Sequence, residues 1–66
     1  MNNTEFKQIR HGLKLSAQGM ADALGIKSGR AIRLYEKGDR NISGPIARLM
    51  LIYEEYPLLI EDMNDE

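Results

Sequence analysis

Apolar residues recur at helical spacing along most of this chain. Phe6, Ile9 and Leu13 fall three or four apart, while Lys7, Arg10 and Lys14 occupy other faces. The spacing predicts a first helix, with Asn3 or Thr4 as its cap and Gly12 weakening its end. Ser16 is placed to cap a second helix whose buried stripe is Ala17, Met20, Ala21 and Leu24. The small Ala21 suits a close helix crossing. Gly25 can take a positive φ and stop the helix, after which Ile26 returns to the core. Ser28 is placed to cap a third helix, with Ile32 and Tyr35 on its inner face, Ala31 flanking and Gly38 as the stop. Residues 38–44, GDRNISG, are rich in turn formers. Pro45 suits the first position of a fourth helix running to about Glu55. Pro57 breaks it, Leu58, Leu59 and Ile60 start a short fifth helix, and Met63 to Glu66 form a frayed acidic tail.

The expected class is therefore all-α, in one domain spanning residues 1–66. Sixty-six residues bury only a modest core, and with no cysteine neither a disulfide nor a thiolate metal site can staple it. Tight helix packing and oligomerisation remain. Nothing resembles a signal peptide or a membrane span, so the expected location is the cytoplasm.

The segment Leu15 to Gly38 carries the most information: two short helices, a tight break and a glycine stop, about residues 16–38. Lys27, Ser28, Gly29, Arg30, Arg33 and Lys37 lie at the break and on the outer face of the third helix. A helix-turn-helix presents a cationic, hydrogen-bonding helix to the DNA major groove in this way. The net charge of -1 conceals a split. Residues 1–40 carry eight basic and four acidic side chains; residues 41–66 carry one basic and six acidic. A basic face toward phosphate and an acidic end pointing away fit that division.

Arg30 and Arg33, three apart, share a face, and either can present its fork to the O6/N7 edge of guanine. Ser28 and Gly29 would let the backbone approach the bases, and Leu34 would meet a thymine methyl or sit half-buried. Ser16 and Gln18 at the start of the second helix are candidate phosphate ligands. Lys27, Lys37, Arg40, Asn41 and Ser43 are further phosphate candidates flanking the third helix. Catalysis has little to work with. His11 is the only histidine, with no cysteine and no carboxylate pair beside it. No phosphate-loop glycine pattern is present. No enzyme activity, metal or cofactor is expected.

Leu15-Ser16, Met20-Ala21, Leu24-Gly25, Ile32 and Tyr35-Glu36-Lys37-Gly38 together resemble the Cro/repressor-like helix-turn-helix family, the lambda-repressor-type DNA-binding domains. The likeness spans about residues 4–60. It implies a five-helix bundle whose second and third helices read DNA, and a role like that of small phage or mobile-element regulators, including autorepressors and antitoxins. Two departures stand out. Ala17 holds the place where members often carry a DNA-contacting Gln, with Gln18 one residue later. Gly25 to Glu36 is about one residue longer than the commonest version, the extra residue falling in KSGR.

A dimer is the expected assembly, because two-fold symmetric pairs read half-sites about one helical turn apart. The apolar surplus at about residues 45–62 would form it, with Leu51, Ile52, Tyr56, Leu58, Leu59 and Ile60 as interface candidates. The expected partner is double-stranded DNA carrying an inverted repeat. The alternative is a protein-binding module, an antitoxin or inhibitor, that uses the apolar, acidic C-terminal half against another protein.

Overall fold

A computed structural model describes residues 1–63, with side chains described through Ile60. Four α-helices follow in order, α1 (Asn3–Gly12), α2 (Ala17–Leu24), α3 (Gly29–Lys37) and α4 (Gly44–Glu55), then a 3-10 segment, Pro57–Met63. No strand occurs among the described residues. The expected α-helical fifth element is replaced by this 3-10 segment, which is kinked at Ile60 (φ -121, ψ 21). The non-helical backbone at Ile60 leaves three residues on either side of it within the segment, too few for an α-helix. Residues 64–66 of the expected acidic tail lie outside the described residues.

Each α-helix contributes one large, fully buried side chain to a common core: Phe6, Met20, Ile32 and Met50. Burying each contributes about 1.5–3 kcal/mol. Ala21, with no exposed surface, lets α2 cross its neighbours closely. The Phe6 and Tyr35 rings, centroids 5.3 Å apart and tilted by 47°, join α1 to α3. Leu15, Leu24 and Ile60 close the remaining sides. Ile60 is 3 % exposed, so it belongs to the interior of one chain. Its assignment to an intermolecular interface is corrected: the kink turns it inward.

The cap of α1 also differs from expectation. Asn2 holds it, accepting from the Glu5 amide (2.8 Å) while the Glu5 carboxylate accepts from the Asn2 amide (3.1 Å). Only Asn2 has a glutamate three residues on; the same position is Phe6 for Asn3 and Lys7 for Thr4. The Asn3 side chain instead donates to the Glu36 carbonyl on α3 (3.2 Å). In α4 the Ser43 oxygen accepts from the Ile46 amide (3.4 Å), and Pro45 stands second rather than first in the helix.

Three helices end in one hydrogen-bond pattern around a left-handed residue. Gly25 (φ 75) donates to Asp22 O (3.2 Å) and Ile26 to Ala21 O (2.8 Å). Gly38 (φ 85) donates to Tyr35 O (3.2 Å) and Asp39 to Leu34 O (3.0 Å). After α1 the same two bonds are made by Lys14 (φ 61) to His11 O (3.0 Å) and Leu15 to Arg10 O (3.4 Å). Gly12 is not the turning residue; it lies within the helix. A side chain at the left-handed position costs about 1 kcal/mol or more, partly offset by the lysine's charge at a helix C-terminus. Lys14→Gly is expected to add about 0.5 kcal/mol of stability, raising Tm by about 3 °C. Thermal unfolding beside Lys14→Ala, which keeps the Cβ, checks it. Equal melting of the two variants would refute it.

Candidate nucleic-acid interface

The α2–α3 pair forms from local chemistry at the break. Ser16 caps α2, its Oγ accepting from the Gly19 amide (3.0 Å). Ser28 holds the capping position of α3 but makes no side-chain cap bond. Gln18 does that work from across the turn: its Oε1 accepts from the Gly29 amide (3.1 Å) and its Nε2 donates to Asp22 Oδ1 (3.0 Å). The reading of Gln18 is therefore corrected to a helix cap in the first place; the side chain is exposed and its Nε2 keeps a second N–H beyond the one given to Asp22. Its distant capping role carries no local sequence signal, since the bonded groups lie eleven residues apart.

Gly29 is corrected too. It is buried against α2, and a Cβ built on it would lie 2.9 Å from Gln18 N and 3.0 Å from the Ala17 carbonyl carbon. The residue is glycine because two helix backbones meet there. It does not open the backbone to a ligand.

Beyond Gly29 the inner face of α3 is Ala31, Ile32 and Tyr35, all buried. Its outer face bears Arg30, Arg33 and Lys37, all exposed, at positions one turn apart. Leu34 is half-buried between the two faces. Lys27, Ser28, Arg30, Leu34 and Arg40 line one open groove of about 390 Å³ beside the start of α3, with Ile26 and Ala31 at its base. The fold thus brings together residues from the α2–α3 turn, α3 and the 38–44 loop. Three cations line the groove and no carboxylate does. Among the described residues, Lys27, Arg30, Arg33 and Arg40 make no ion pair, whereas Lys37 lies 3.7 Å from the exposed Asp39 carboxylate.

The remaining phosphate candidates are dispersed. Asn41 is exposed in a neighbouring hollow that it shares with Arg40 and the N-terminal residues. Ser43 uses its oxygen to cap α4, and Ser16 uses its own at α2.

Behind the surface, α3 is anchored by a mostly buried ion pair. Arg10 Nε and Nη2 donate to the two oxygens of Glu36 at 2.5 and 3.0 Å, a bidentate pair. Arg10 Nη1 also donates to the Leu15 carbonyl (3.0 Å) in the α1–α2 turn. One guanidinium therefore holds the turn and α3 together. The adjacent Nη2 lies 3.2 Å from His11 Nε2, so His11, which is exposed, rests on the same guanidinium. No group of three or more His, Cys, Asp or Glu side chains suited to a metal occurs among the described residues. No helix there is long and apolar enough to cross a membrane.

On α4 the inward residues are Met50, fully buried, with Ile46, Leu49 and Tyr53 packed beside it. Leu51, Ile52, Tyr56, Leu58 and Leu59, five of the six interface candidates, are exposed. Comparison with family models, curated proteins and solved structures finds no match to this chain.

Proposed function

We propose that this chain is a sequence-specific DNA-binding transcriptional regulator of the helix-turn-helix type, a repressor or autorepressor acting as a homodimer in the cytoplasm. In this reading α2 and α3 form the reading unit, and α3 enters the major groove of an inverted-repeat operator. The observation that carries it is the groove at the start of α3, where Lys27, Arg30 and Arg40 converge without a carboxylate. Cations left unpaired in this way are free to replace the counterions of phosphate. Arg30 and Arg33 are the base-reading side chains, with Ser28 and Leu34 beside them. Lys27, Lys37, Arg40 and Asn41 face phosphates. One copy carries one reading helix, so an inverted repeat with half-sites about one helical turn apart takes two copies.

The experiment is a binding titration on a duplex from the DNA upstream of the gene, with a scrambled duplex of equal composition as control. Each good arginine–guanine pair is worth about 1–3 kcal/mol, and a two-fold complex uses it twice. Arg30→Ala and Arg33→Ala should each weaken binding to the upstream duplex roughly 30-fold or more, with little change on the scrambled one. With three phosphate-facing cations per copy, log K should fall against log salt with a slope of about -5 for the dimer. Intact affinity in both arginine variants would overturn the assignment of α3.

A further inference from the structure

We infer that the outer face of α4 pairs antiparallel with the same face of a second copy of this chain. A shallow hollow of about 380 Å³ runs along this face from Gly44 and Ala47, past Leu51 and Ile52, to Tyr56. Its floor is apolar and open: Leu51 is 54 % and Tyr56 58 % exposed. Arg48 and Glu55 also line it. These positions recur at three- and four-residue intervals, so they form one stripe.

The two ends of the stripe are unlike. One carries the small residues Gly44 and Ala47 and the cation Arg48; the other carries Glu55 and the bulky Tyr56. Neither Arg48 nor Glu55 makes an ion pair among the described residues. Place a two-fold axis across the helix between Leu51 and Ile52. Arg48 then faces Glu55 of the second copy, and Ala47 faces the second copy's Tyr56, whose ring enters the space over the small residues. Leu51 and Ile52 meet across the axis. Every contact occurs twice, as an isologous interface requires. A parallel pair would set Arg48 against Arg48 and Glu55 against Glu55, and would leave the small end unfilled. Complementarity of both charge and size within one stripe is what singles out a second copy as the occupant, rather than an unrelated protein.

Pairing deepens the homodimer reading but is tested without DNA, so its failure and the failure of the α3 assignment are separate results. Sedimentation equilibrium at micromolar concentration is expected to show a dimer. Arg48→Glu and Glu55→Arg should each weaken dimerisation about tenfold or more, since each sets like charges face to face twice. The double variant Arg48→Glu/Glu55→Arg should return to within about threefold of the original chain. Both positions are exposed, and helicity by circular dichroism confirms that each variant is folded. A monomeric parent chain, single variants that dimerise normally, or a double variant that fails to recover would each overturn the proposal. Normal dimerisation of the single variants would point to a parallel pair or another face.

Discussion

Arg10→Met is expected to lower the unfolding free energy by about 3 kcal/mol. The arginine side chain is 14 % exposed and its Glu36 partner 10 %, so little water would replace the lost guanidinium. The substitution strips a carboxylate of two charge-assisted bonds and the Leu15 carbonyl of a third. A chain of this size has about 3–10 kcal/mol of total stability, so the loss is a large share of it. Urea denaturation measures it directly. The double variant Arg10→Met/Glu36→Leu should recover most of the loss, because an apolar pair of similar volume leaves no buried charge uncompensated. A change of under about 0.5 kcal/mol in Arg10→Met, the range of an ordinary surface substitution, would show that the pair does not anchor α3.

Gly29→Ala is expected to destabilise the chain by about 1–3 kcal/mol, although alanine favours a helix by about 1 kcal/mol over glycine. The added methyl meets α2 backbone at 2.9 and 3.0 Å, and backbone cannot rotate aside as a side-chain tip can. Relief requires α3 to move away from α2, which stretches the bond between the Gln18 side chain and the Gly29 amide. Gly12→Ala supplies the contrast. Nothing lies within 4 Å of a Cβ there, so helix propensity alone should stabilise that variant by about 1 kcal/mol. Thermal unfolding of the two variants should therefore shift in opposite directions. A stabilised Gly29→Ala would mean that the two helices are less closely apposed.

Much of this architecture was legible because it depends on residues close together in sequence. Ser16, Gly25 and Gly38 punctuate helices through bonds spanning three to five residues, and the stripes of α1, α2 and α3 follow helical period. The turning residue after α1 was not legible. The left-handed position falls on Lys14, a residue type with no preference for it, just before the buried Leu15 returns to the core. Within the candidate interface, exposure of Arg30, Arg33 and Lys37 followed from period alone. Gln18 and Gly29 did not, because their roles are defined by the meeting of two helices eleven residues apart in sequence. The sequence leaves Glu36 two partners, neighbouring backbone amides or Arg10, and the fold takes Arg10, 26 residues away. Ile60 is expected at the interface with the rest of the apolar surplus, and it is the one member that the kinked 3-10 segment buries.

The Tyr53 hydroxyl donates to the Ala23 carbonyl at 2.8 Å, bracing α4 against the last turn of α2. With that brace, α4 serves as a lever arm: whatever its outer face rests on sets the bearing of α3. For two copies joined along α4, the separation of the two α3 helices becomes a fixed gauge of the protein. One base pair inserted between half-sites turns the second by about 34° around the duplex, and a rigid gauge cannot follow it. Tyr53→Phe removes the brace but keeps the ring, and so should make such an assembly more tolerant of half-site spacing.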